Sequence, residues 1–184
     1  MRNYLLSFLT LILFISCKSS ETFYETGELK MKGKMVDQLK NGQWKYYHQN
    51  GKMYQKGSFK DDKETGIWKI YHENETLRQI GNFKEGKQDG QWLFYHDNGN
   101  KEGVGNLASG KMIGKWIWYH SNGNLYTERL YEDGNLMEIF SCYDGKGNPL
   151  EKGTLKKGTG SLNSYDIDGN RIDVQNFENG KIKN

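Results

Sequence analysis

Gly42-Gln-Trp44-Lys-Tyr-Tyr47-His48, Gly66-Ile-Trp68-Lys-Ile-Tyr71-His72, Gly90-Gln-Trp92-Leu-Phe-Tyr95-His96 and Gly114-Lys-Trp116-Ile-Trp-Tyr119-His120 are one phrase written four times. The copies stand 24 residues apart with no insertion between them. In-register recurrence of so bulky a residue marks a tandem repeat, in which each unit packs on its neighbours. Behind three of the phrases comes Asn-Gly, as Asn50-Gly51, Asn98-Gly99 and Asn122-Gly123; the remaining copy has Asn74-Glu75. Asn-Gly between alternating aromatic segments signals a β-hairpin with a two-residue type I′ turn, because both central residues of that turn need positive φ. Asn74-Glu75 is therefore expected to form a strained or differently shaped turn.

A two-residue loop fixes the register. His48 faces Met53, Tyr46 faces Gln55, and Trp44 faces Gly57; in the following copies Trp68 faces Gly81 and Trp92 faces Gly105. An indole opposite a bare backbone can lie over the glycine, so Trp44, Trp68, Trp92, Trp116 and Gly57, Gly81, Gly105 are read as the structural repeat residues. Trp116 instead faces Arg129, whose guanidinium could stack on the ring. Alternation puts Trp44, Tyr46 and His48 on one face and Lys45, Tyr47, Tyr54 and Lys56 on the other, the first being richer in apolar bulk and better packed. The linkers, such as Asp61-Asp62-Lys63, return the chain to the next strand.

Outside the four phrases the frame weakens. Residues 24–33 hold the second half of a copy, and Phe140, Tyr143 and Gly147 fall one period after Trp116, Tyr119 and Gly123. With shortened copies toward the C-terminus this gives six to seven hairpins. The fold class is all-β: an elongated antiparallel sheet or β-solenoid of tandem hairpins, advancing ~9–10 Å per unit. Residues 23–137 form the regular array and 138–184 degenerate hairpins, as terminal units of stacked arrays tend to be.

The N-terminus carries an address. Arg2 precedes the apolar run Leu5 to Ile15, too short to span a bilayer comfortably and of signal-peptide length. It ends in Phe14-Ile15-Ser16-Cys17 followed by Lys18-Ser-Ser-Glu21, which resembles the lipobox of bacterial lipoproteins. Residues 1–16 are thus expected to be a lipoprotein signal peptide, Cys17 the lipid-attachment residue, and 17–22 a short tether. The protein would be lipid-anchored to a membrane of the bacterial cell envelope. The second cysteine, Cys142, is left without a partner and is read as a small buried residue.

Gly-x-Trp-x-x-Tyr, then Asn-Gly-x-Leu/Met, then Gly-x-Phe-x-x-Gly-Lys resembles the MORN-repeat variant of the bacterial YwqK antitoxin-like family. The resemblance covers Phe23 to Gly134 well and the rest loosely. It implies protein or lipid binding and scaffolding, and, for YwqK-like relatives, neutralisation of a toxin.

Charge and motifs exclude more than they assign. With 26 basic and 23 acidic residues interspersed, no cationic stripe stands out and no nucleic-acid partner is expected. The column His48, His72, His96, His120 is spaced too widely for one metal ion, whose nitrogens lie at ~2 Å. Neither metal nor cofactor is expected. The column Tyr47, Tyr71, Tyr95, Tyr119 is either cross-strand packing or, with the histidines, a candidate binding surface. Asp166-x-Asp168-Gly-Asn170 departs from a calcium loop, with its glycine too early. No nucleophilic constellation appears. The expected function is a non-enzymatic protein-binding or scaffold lipoprotein with an unidentified protein partner. The alternative is an antitoxin or immunity protein that binds a toxin.

Overall fold

The computed structural model describes residues 17–183, so the signal segment expected over 1–16 lies outside them. Those residues contain no helix. Eleven strands pair strictly in chain order, each antiparallel to the next, in one meander. They are β1 (Cys17–Phe23), β2 (Leu29–Val36), β3 (Leu39–Tyr47), β4 (Met53–Lys60), β5 (Lys63–Tyr71), β6 (Leu77–Lys84), β7 (Lys87–Tyr95), β8 (Lys101–Ala108), β9 (Lys111–Tyr119), β10 (Leu125–Glu132) and β11 (Asn135–Cys142). A second sheet, β12 (Gly160–Tyr165), β13 (Arg171–Glu178) and β14 (Lys181–Ile182), follows. The elongated antiparallel sheet is thus the architecture. Residues 17–22, expected as a tether, are instead the edge strand β1, paired with β2 from Cys17↔Val36 to Phe23↔Leu29.

Trp44↔Gly57, Trp68↔Gly81, Trp92↔Gly105 and Trp116↔Arg129 are cross-strand pairs. The turns differ from the sequence expectation. The Asn-Gly segments close as three-residue loops. Gly51 donates to the His48 carbonyl, His48 donates to the Lys52 carbonyl, and only Gly51 takes positive φ (80°). This is a type I turn with a left-handed residue after it. One residue later Tyr54 bulges out, so that Tyr47, not His48, faces Met53. The extra loop residue and the bulge cancel, which restores the register at Tyr46↔Gln55. The Asn74 turn has the same hydrogen bonds, with Glu75 forced to φ 71°; it is strained but not reshaped. The type I′ turns sit at the other ends of the strands, at Asp37-Gln38, Asp61-Asp62, Glu85-Gly86, Ser109-Gly110 and Asp133-Gly134, with both residues at positive φ.

The core is a single row of rings rather than a second layer. Trp44, Trp68, Trp92 and Trp116 are at most 2% exposed. Each indole lies on the glycine of the preceding hairpin: a Cβ on Gly33, Gly57, Gly81 or Gly105 would come within 2.2 Å of Trp44, Trp68, Trp92 or Trp116 respectively. The cover therefore comes from the next repeat and not from the ring's own hairpin partner, as the hairpin register alone suggested. Each indole N–H donates to a carbonyl ten residues upstream (Lys34, Ser58, Asn82, Asn106) at 3.1–3.3 Å. The strand makes room by bulging at Gly42, Gly66, Gly90 and Gly114, all at positive φ, which explains the Gly-x-Trp phrase. Phe59 and Phe83 fill the gaps between successive indoles, edge-on except for the tilted contact of Phe83 with Trp68. Arg129 does not stack on Trp116; Trp118 does, at 5.5 Å and 20°.

The regular sheet runs to Cys142, five residues past the boundary expected at 137. Beyond it Pro149 lacks a ladder donor and Gly153 takes φ 91°, so residues 149–156 run beside the sheet with only isolated bridges. Leu136 and Ile139 of β11 then pack with Leu155, Leu162 and Phe177 in a small cluster that caps the array. Cys142 is buried and unpaired, and burial pushes its thiol pKa up.

Candidate binding surfaces

Along one edge of the sheet seven turns stack, beginning at Tyr24, His48, His72, His96, His120, Asp144 and Asp166, each closed by the same pair of backbone bonds. His72, His96 and His120 use Nε2 to donate to the carbonyls of Tyr95, Tyr119 and Tyr143, at 2.8–2.9 Å. Tyr24 stands in the same column, and its hydroxyl donates to the Tyr47 carbonyl at 2.7 Å. Asn74, Asn98 and Asn122 add amide bonds to the following turn. His48 alone breaks the ladder, with a buried Nε2 that finds no partner. The histidine column is thus mainly a seam between repeats. In the last two turns Asp144 and Asp166 stand in the histidine position and bond within their own turns instead: the Asn148 and Asn170 amides, then backbone N–H groups, hold their carboxyls below the usual range.

Tyr47, Tyr71, Tyr95 and Tyr119 end β3, β5, β7 and β9, half-buried. Lys56 and Lys101 lie over the Tyr71 and Tyr119 rings at 5.6 and 5.7 Å. The histidines reach their neighbours' tyrosine carbonyls, not their rings, so the two columns do not merge into one aromatic platform.

The face opposite the indoles holds a feature that the sequence hides. The cross-strand pairs connect Glu21, Lys32, Lys45, Lys56 and Lys69 in one row, which continues as Ile80, Leu93, Val104, Ile117 and Glu128. Four lysines on adjacent strands stand ~4.8 Å apart, and none of them joins an ion pair among the described residues. Lys34 shares this face of β2. The expectation of no cationic stripe is therefore corrected: spacings of 13 and 11 residues alternate along the chain, and only the hairpin register brings these residues together. Like charges directly opposite one another destabilise a sheet, while the same row in β6–β9 is aliphatic, so the fold does not require the lysines. Cys17 pairs with Val36 on this same face and lines one cleft with Lys32, Lys34 and Lys45. At the far end Glu128 is engaged, its carboxyl lowered by Lys115 and then by the Ser141 hydroxyl.

Comparison with known families fits this geometry. Residues 40–61, 64–85, 88–107 and 112–133 each match the MORN repeat variant. The chain carries four MORN repeat variants. MORN repeats are a non-catalytic repeat type that commonly binds proteins or membranes. Each matched segment opens at or just after a type I′ turn and contains the Gly-x-Trp bulge, so the family motif coincides with the packing unit. No curated protein matches the chain.

Proposed function

We propose that this MORN-repeat protein is a non-enzymatic binding scaffold, lipid-anchored at Cys17 in a bacterial envelope, whose lysine face lies on the anionic membrane surface. The supporting observation is that Cys17 and the row Lys32, Lys45, Lys56, Lys69 occupy the same face. An acyl anchor and a basic patch act together, each lysine near an anionic surface adding ~1 kcal/mol. This posture leaves the stacked turns and the indole face for a protein partner.

Two measurements test the reading. Intact mass of the protein from its native cells should show an acylated N-terminal Cys17; an unmodified Cys17 removes the anchor. A lipid-free chain begun at residue 17 should float with vesicles containing phosphatidylglycerol at low salt and not with neutral phosphatidylcholine. Replacing the four row lysines with Gln should abolish flotation; retention on anionic vesicles after that change would sink the lysine face. The antitoxin reading rests on family resemblance alone. It becomes the better one if crosslinking in native cells yields a single stoichiometric toxin partner.

A further inference from the structure

The repeat breaks its own rule at one place. Gly33, Gly57, Gly81 and Gly105 form a column covered by successive indoles, and one period on the column holds Arg129. No fifth tryptophan follows to cover it; the residue one period after Trp116 is Phe140, which is 44% exposed. In the same repeat Trp118 replaces the Tyr46, Ile70 and Phe94 of earlier copies. Arg129 Nε and Trp118 Nε1 are both buried donors without a partner. Leaving such a donor unpaired is costly, and unpaired buried donors in a native protein call for an explanation.

Both residues line one cleft of ≈ 410 Å³, walled further by His96, Glu102, His120, Tyr126 and Ile167. Ile167 comes from the turn between β12 and β13, held in place by Gly145 N–H donating to its carbonyl and by Tyr165 N–H donating to the Tyr126 hydroxyl. The capping segment therefore completes the cleft, which the regular array alone would not enclose. Glu102 and Arg129 face this cleft yet make no ion pair with each other or with any other described residue. His96 and His120 give Nε2–H to backbone carbonyls, which only accept; in the neutral tautomer that this bond selects, Nδ1 is the acceptor.

The geometry points to a binding site for an acidic sugar residue, a polyhydroxylated ring carrying one carboxylate. The Arg129 guanidinium supplies the anion's donors, its terminal nitrogens forking onto a carboxylate. Glu102 and the imidazole nitrogens supply acceptors for several hydroxyls. Trp118 and Tyr126 provide the apolar walls typical of small-ligand clefts. A peptide carboxylate would satisfy the donors but offers few N–H groups to so many acceptors; a sugar offers one donor per hydroxyl. The cleft lies on the indole side, away from the lysine row, so this inference stands whether or not Cys17 carries lipid.

The test is a titration of the purified full chain with glucuronic acid, glucose and acetate, followed by ligand-observed NMR and calorimetry. Glucuronate should bind saturably and at least tenfold more tightly than glucose or acetate. Arg129→Gly restores the glycine of the repeat column and should keep the melting temperature while weakening glucuronate at least tenfold. Glu102→Gln should weaken it with the fold intact. No saturable glucuronate binding up to about 10 mM, acetate binding as tightly as glucuronate, or an Arg129→Gly chain that binds unchanged would each overturn the assignment.

Discussion

Gly81→Ala places one methyl where the Trp92 indole lies. The new Cβ would sit 2.2 Å from Cδ2 and Cε2 of the ring, against 3.4–4 Å for ordinary contact. Trp92 has no exposed surface, is met edge-on by Phe83 at 5.4 Å, and donates Nε1–H to the Asn82 carbonyl at 3.3 Å. It cannot retreat without giving up contacts on its far side. Overpacking of this kind costs ~1–3 kcal/mol, and a ring driven ~1 Å from its neighbours forfeits a quarter to a half of its dispersion attraction. A loss near ~3 kcal/mol lowers the melting temperature by roughly 6–12 °C in a chain of this size. The decisive assay is a double-mutant cycle followed by urea unfolding. Trp92→Ala alone should cost about 3–5 kcal/mol. In that background Gly81→Ala should cost nothing, because the obstructing ring is gone, giving a coupling of ~3 kcal/mol. In a Trp68→Ala background the full penalty should persist, although Trp68 is the cross-strand partner of Gly81. Additivity with Trp92→Ala, or relief by Trp68→Ala instead, would refute indole cover from the following repeat.

Glu75→Gly should stabilise by about 1 kcal/mol, seen as a higher melting temperature, because it releases a non-glycine residue from the left-handed region. His96→Phe should cost about 1 kcal/mol by removing a donor to the Tyr119 carbonyl, whereas His48→Phe, whose Nε2 bonds nothing, should be neutral or slightly stabilising; equal losses would show that the imidazole bonds carry no stability. Asp144 and Asp166 have lowered folded-state pKa values. Their stabilisation is therefore present above the unfolded carboxyl value of about 3.9 and lost as pH falls through the folded values. Acid melts of Asp144→Asn should consequently be flatter below about pH 4 than those of the parent chain.

Much of the architecture could be read from the tryptophan spacing, for a reason that also explains the errors. The pairing Trp44↔Gly57 follows from a two-residue turn at Asn50-Gly51, yet the turn has three residues. The result survives because the Tyr54 bulge returns the slip, and Asn-Gly suits either turn, since both place a glycine at positive φ. Hairpin arithmetic is silent on contacts between hairpins. It could not say that Trp92 rather than Trp68 covers Gly81, nor that the Gly-x-Trp glycine is a bulge between repeats. The lysine row has the same origin: Lys45 and Lys56 are visibly a pair within one hairpin, but Lys32 and Lys69 join them only through the neighbouring interfaces. Cys17–Phe23 reads as polar and featureless, and becomes a strand because β2 offers it an edge. The cleft at Arg129 needed the capping turn at Ile167, whose position no periodicity encodes. Its signal was nevertheless present, as an arginine where three earlier copies of the motif place glycine.

The lysine face can be tested directly with the acylated protein in anionic vesicles. Cys17 is to carry the lipid and Cys142 is buried, so a cysteine placed at Lys56 or at Gln79 can be labelled selectively with a nitroxide or fluorophore. Quenching from lipid-borne probes should put the label at 56 in the headgroup layer and the one at 79, on the indole face, clear of it. Equal depth at both positions, or the deeper label at 79, would contradict a sheet lying on its lysine row.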